Sequence, residues 1–145
     1  MIDLENQTSL HINIETLEKI ASSLTTSEIE LIIVDDSTMK TLNSQHRGKA
    51  QSTDVLSFPL ETPFTQQPIF DMPLGSIVIC EDYVHQKAKE LKHSTEDETA
   101  LLFIHGLLHL LGFNHEEDDG EMRKREKEII NTFDLPQSLI IRTGE

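Results

Sequence analysis

Residues 105–115 read HGLLHLLGFNH and hold three histidines at fixed offsets. His105 and His109 stand at i and i+4, so on a helix their rings emerge one turn apart on the same face. Gly112 sits where a helix would end on a left-handed residue, and the turn it permits would swing His115 back toward the first two rings. Polar rings in a leucine-rich run need partners, and one shared metal ion satisfies all three together. Three imidazoles leave the fourth tetrahedral position open, as catalytic zinc sites do. Iron, nickel or copper would also accept three neutral nitrogen ligands, but a single zinc ion is the expected occupant. A structural zinc would take a fourth protein ligand, with His46, His85 or His93 as sources.

The spacing H-x-x-x-H-x-x-G-x-x-H also occurs in metzincin-type zinc proteases, where a glutamate follows the first histidine and serves as general base. Here that position is Gly106. A metallopeptidase is therefore the weaker reading. Phosphodiester cleavage fits better, because a metal supplies nucleophile or charge stabilisation while a cation offsets charge on the phosphoryl oxygens.

These residues need elements to hold them. Ser94 is an N-cap candidate, Glu96, Asp97 and Glu98 suit the positive end of a helix, and the run from Ala100 to Leu111 is apolar nearly all round. That pattern predicts a buried central helix ending at Gly112. Strands are expected at Ile2–Leu4, Glu28–Val34, Thr53–Phe58 and Leu74–Cys80. Helices are expected over His11–Leu24, from a Ser37 cap to about His46, over Glu81–Leu91, and over Glu117–Phe133 as a charged surface helix. Pro59, Pro63, Pro68 and Pro73 make residues 59–73 a long loop. The mixture predicts an α+β fold: a small mixed sheet packed with helices, with the metal site on the central helix and the turn after it, in a zincin-like arrangement.

Composition narrows the partners. The chain of 145 residues fits one domain, 1–145. Cys80 is the only cysteine, which points to a reducing, cytoplasmic setting, and it ends an apolar strand as a core residue would. MIDLENQTSL does not read as a signal peptide, and no apolar run approaches the roughly 20 residues of a membrane span. A net charge of −14 argues against non-specific nucleic-acid binding, and no DNA partner is expected. The charge is uneven, however. Ser37 to Thr53 holds Lys40, Arg47 and Lys49 with no acid, and Lys87, Lys89 and Lys92 form a second basic group.

Residues 42–60 read LNSQHRGKAQSTDVLSFPL. Taken with HGLLHLLGFNH and the intervening LGSIVIC, this stretch resembles the YbeY family of bacterial endoribonucleases, the ribosomal RNA maturation factors, across about residues 30–132. The resemblance implies a metal-dependent, single-strand-specific RNase that processes the 3′ end of small-subunit ribosomal RNA and takes part in ribosome quality control. By position, His105, His109 and His115 would bind zinc and Arg47 would be the functional arginine at an RNA phosphate; separately from the resemblance, Lys49 on the same basic strip is expected to touch the RNA backbone. Arginine suits that role because its planar fork grips phosphate oxygens in pairs.

The chain departs from the family pattern at His46 (tyrosine there), Ala50 and Ser52 (aspartate and proline), Ser76 (aspartate), and Phe113 and Asn114 (tyrosine and aspartate). Asn114 cannot act as a base, so the proton acceptor stays open among a zinc hydroxide, the RNA 2′-OH and a more distant acid such as Glu116. A non-catalytic, metal-stabilised factor docking on the ribosome or an assembly protein is the alternative to the enzyme.

Overall fold

Four strands and five helices make up the described part of the chain: residues 2–48 (without the Arg47 side chain), 51–59, 73–113 and 120–136 of a computed structural model. The order is β1 (Ile2–Asn6), α1 (Ile14–Leu24), β2 (Ile29–Val34), α2 (Asp36–Arg47), β3 (Val55–Pro59), β4 (Gly75–Cys80), α3 (Glu81–Leu91), α4 (Thr95–Leu110) and α5 (Glu121–Thr132). The fold is α+β, as expected, with a mixed sheet in the order β1-β2-β4-β3. β1, β2 and β4 run parallel, and β3 joins β4 antiparallel as an edge strand, with Ser57 opposite Ile77 and Pro59 opposite Gly75.

Alternation along the central strands explains the layers. Ile29, Leu31 and Ile33 of β2 and Ile77 and Ile79 of β4 pack in one core with α1, α4 and α5. Val34, Val78 and Cys80 join Leu56 and Met39 on the other face, under α2. Toward their C-terminal ends both central strands are enclosed on two sides, which is why LIIV of β2 and IVIC of β4 read as continuous apolar runs, while Glu30 and Ser76 lie nearer the surface at their starts.

Several boundaries move for local reasons. α1 begins at Ile14 rather than His11, because the Asn13 side chain accepts the Thr16 amide at 3.4 Å. α2 is capped by Asp35, not Ser37: Asp35 Oδ1 accepts the Thr38 N–H at 2.8 Å. β3 starts two residues late, at Val55, whose amide donates to Asp54 Oδ1 at 2.8 Å, so Asp54 shapes the turn into the strand. Of the expected loop, Pro59 closes β3, and residues 60–72 lie outside the described residues.

α4 is capped as read: Ser94 Oγ accepts the Asp97 amide at 3.0 Å. Glu98 does not sit among solvated first-turn charges. It is fully buried, and its Oε1 meets His93 Nε2 at 2.8 Å. The far end closes as a Schellman motif. Gly112, at φ 101°, donates its N–H to His109 O at 3.0 Å, and Phe113 donates to Leu108 O at 3.0 Å.

α5 is not only a charged surface helix. Met122, Glu126, Ile129 and Ile130 are buried along one stripe, so one face of α5 belongs to the interior.

Candidate active site

From Glu98 to Leu110, every residue of α4 is buried except His105 and His109. Past its first turn the central helix therefore surfaces only where its two imidazoles stand. Their rings lie 4.7 Å apart between centroids, edge to face at 77°. The two Nε2 atoms approach to 3.2 Å. Zinc–nitrogen bonds of about 2.0–2.1 Å at tetrahedral angles separate two ligand nitrogens by about 3.3–3.4 Å. The donor pair thus has the spacing that one small ion would require.

The other face of the His105 ring is held as well. His105 Nδ1 lies 2.8 Å from Oε1 of Glu126 on α5, whose side chain is 5% exposed. Sequence reading missed Glu126, because one acid among the charges of EMRKREKEII looks solvated. A signal was there: Met122, Glu126, Ile129 and Ile130 fall at i, i+4, i+7 and i+8, the spacing of a core-facing stripe.

Gly106 takes on a different meaning from a missing base. A Cβ at this position would lie 2.9 Å from Ile77 Cγ2. Position 106 points down into β4, away from the surface where the histidines emerge. The glycine lets α4 settle on the sheet, and a glutamate there would strike the strand.

His115 and Lys49 lie outside the described residues, so the third ligand and the second cation add no geometry. Arg47 is the last helical residue of α2, which Gly48 ends at φ 68° with its N–H on Ser44 O at 3.2 Å. Among the described residues no cluster of three metal-binding side chains forms. The proposed sources of a fourth ligand are otherwise engaged. His93 pairs with Glu98, which precedes His105 by seven residues, or about 10 Å of helix. His85 sits 3.6 Å from Glu81 on α3, and the His46 ring packs 4.6 Å from Phe58. Ser76, where the resemblance expects aspartate, donates to Glu30 Oε1 at 2.7 Å.

A groove of about 390 Å³ opens elsewhere, between the start of β2 and the β3–β4 end, lined by Asp3, Glu28, Glu30, Phe58 and Ser76. Its three carboxylates would repel a polyanion, so it is a poor site for RNA. Cys80 is fully buried, and burial raises its thiol above the ordinary value, in keeping with a core residue. Among the described residues no helix is long and apolar enough to cross a membrane.

Fold and site together define a class: small α+β proteins with a four-stranded mixed sheet and a buried helix that comes to the surface as paired histidines. The family described as Endoribonuclease YbeY matches residues 2–134, and the chain belongs to that family. It is 61% identical over 142 residues to an Endoribonuclease YbeY of Sulfurovum sp., covering 98% of this chain and 97% of that one. It is 57% identical over 144 residues to that of Sulfurimonas denitrificans, covering 99% of each. Among solved structures, a solution structure of a Thermotoga maritima protein superposes with a TM-score of 0.60 at 27% identity, covering 92% of this chain and 89% of that one.

Proposed function

We propose that this chain is a zinc-dependent endoribonuclease that cuts single-stranded RNA, with ribosomal RNA as its substrate and the 3′ end of the small-subunit RNA as its place of action. The cytoplasm is the corresponding compartment, and the ribosome or its assembly factors are the partners. Ribosome quality control is the wider process in which it would act. The observation that carries the reading is the pair of Nε2 atoms 3.2 Å apart at the only surface opening in the inner run of α4, in a chain of the YbeY family.

His105, His109 and His115 would hold the ion. Bound there, zinc would supply positive charge against the phosphoryl oxygens and would make water a better nucleophile near neutral pH. Arg47 grips a phosphate of the strand and fixes the scissile bond in place, and Lys49 adds charge along the backbone. Gly106 offers no base and no room for one, which sets the reading apart from a peptidase.

The test is cleavage of single-stranded RNA by purified protein, zinc-loaded and chelated, beside His109→Ala and Arg47→Glu. Loaded wild type is expected to cut, and the other three samples to lose at least about tenfold. Equal cleavage in all four would identify a contaminant and end the proposal. Ribosome association that persists in His109→Ala, with no cleavage by loaded wild type, would establish the binding-factor alternative instead.

A further inference from the structure

Glu126 is a buried carboxylate in a stripe of Met122, Ile129 and Ile130. A carboxylate left unpaired in such surroundings is costly, and its Oε1 meets His105 Nδ1 at 2.8 Å. An ionised carboxylate only accepts hydrogen bonds, so Nδ1 must carry the proton. A neutral imidazole has a single N–H, so Nε2 is then the nitrogen that carries the lone pair a metal ligand needs. That is the nitrogen facing His109 Nε2 at 3.2 Å.

We infer that Glu126 is the positioning residue of the site: it selects the Nδ1–H tautomer of His105 and fixes the ring so that Nε2 serves as ligand. Glu126 is not the proton acceptor of the reaction, because it is 5% exposed and engaged with a ring nitrogen turned away from His109. The tautomer follows from the 2.8 Å contact with an ionised carboxylate; its use in holding zinc rests on the functional proposal above.

Helix α5 thereby does more than cover the core. It reaches across 21 residues of chain to hold a side chain of α4. Carboxylate–histidine pairs of this kind raise ligand basicity, and losing the partner typically weakens metal binding by about 10- to 100-fold.

The test begins with long-range proton–nitrogen NMR of the histidine rings in metal-free protein. Wild type is expected to show His105 protonated at Nδ1. Glu126→Leu fills similar space without an acceptor, and is expected to move the proton to Nε2 and weaken zinc binding by about 10- to 100-fold in chelator competition. Glu126→Gln offers an amide oxygen to Nδ1–H and is expected to restore the tautomer. A tie that served only to join two helices would lower the melting temperature in Glu126→Leu and leave the His105 tautomer as in wild type, and that result overturns the proposal. So does a wild-type spectrum with the proton on Nε2, which needs no variant to fold. If the tautomer responds as expected and wild type binds no zinc, the positioning role stands and the zinc reading falls.

Discussion

Gly106 and Ile77 are in contact so close that a single methyl group on the glycine would stand 2.9 Å from the isoleucine Cγ2 and 3.3 Å from its Cγ1. Ile77 is fully buried in a central strand and has nowhere to retreat. Gly106→Ala should therefore destabilise the protein despite its better helix propensity. Overpacking costs about 1–3 kcal/mol, against a propensity gain of about 1 kcal/mol, for a net loss on the order of 1 kcal/mol. Urea denaturation measures it, and adding Ile77→Ala should cost less than that substitution costs alone. An unchanged midpoint in Gly106→Ala would mean that the helix lifts freely from the sheet.

Zinc should stabilise the fold through His109. A ligand bound only by the native state adds about 2.7 kcal/mol at 100 times its dissociation constant. Thermal scans with and without zinc should show a raised midpoint in wild type and none in His109→Ala. A wild-type midpoint indifferent to zinc would count against the metal site directly.

Arg47→Lys separates charge from shape. The ammonium keeps the positive charge but loses the paired grip on phosphate oxygens, so kcat/KM should fall by roughly tenfold with the salt dependence of RNA binding preserved. Arg47→Ala should also flatten that dependence, by about one phosphate contact. Identical salt slopes in all three proteins would remove Arg47 from the RNA track.

The pair between His93 and Glu98 anchors the start of α4, with both side chains almost wholly enclosed. Glu98→Leu takes the carboxylate away from a buried imidazole and should cost about 3 kcal/mol. Combining it with His93→Phe should recover much of that loss. Chelator competition should find zinc affinity unaltered, because the pair is about 10 Å along the helix from His105.

Asp35 gives the acid limb of stability a traceable component. The Thr38 amide, and then its hydroxyl, hydrogen-bond to the carboxylate and hold it below its ordinary value of 3.8. A depressed native value means stability that is present above the unfolded value and lost as pH falls through the native one. Asp35→Asn keeps a capping side chain without the titration. The difference in urea midpoint between wild type and Asp35→Asn should be constant near neutrality and shrink below about pH 4. A constant difference down to pH 3 would show that the cap ignores its charge.

Much of this was legible in the sequence because it is local. The histidine spacing, the Ser94 cap and Gly112 each act within a turn or two of chain, and each does in the structure what its residue type favours. The placement of α2 was less clear, since Asp35, Asp36 and Ser37 all have capping side chains, and the bond to Thr38 decides among them. The Glu126 contact was hidden, because it joins two helices whose faces are fixed only once α5 packs on α4. The same holds for Gly106, where the absence of a side chain has meaning only beside Ile77. Strand order was equally remote from local pattern, since β1 and β2 are parallel neighbours joined over the length of α1.

The rim of the sheet has a consequence for how copies of this chain meet. Cys80 donates its amide to Asp54 O at 2.9 Å, so residues 54, 56 and 58 bond inward to β4, and Val55, Ser57 and Pro59 turn their main chain outward. The Val55 amide is already taken by Asp54 Oδ1, and Pro59 has none to give. Within β3 only Ser57 presents an outward N–H. Exposed strands invite a second chain to pair with them, and proline is one of the ways that natural sheets discourage it. Among the described residues this border is blunted by its own side chains and proline, so a second copy meeting β3 rim to rim would find a single strand N–H, that of Ser57, to bond.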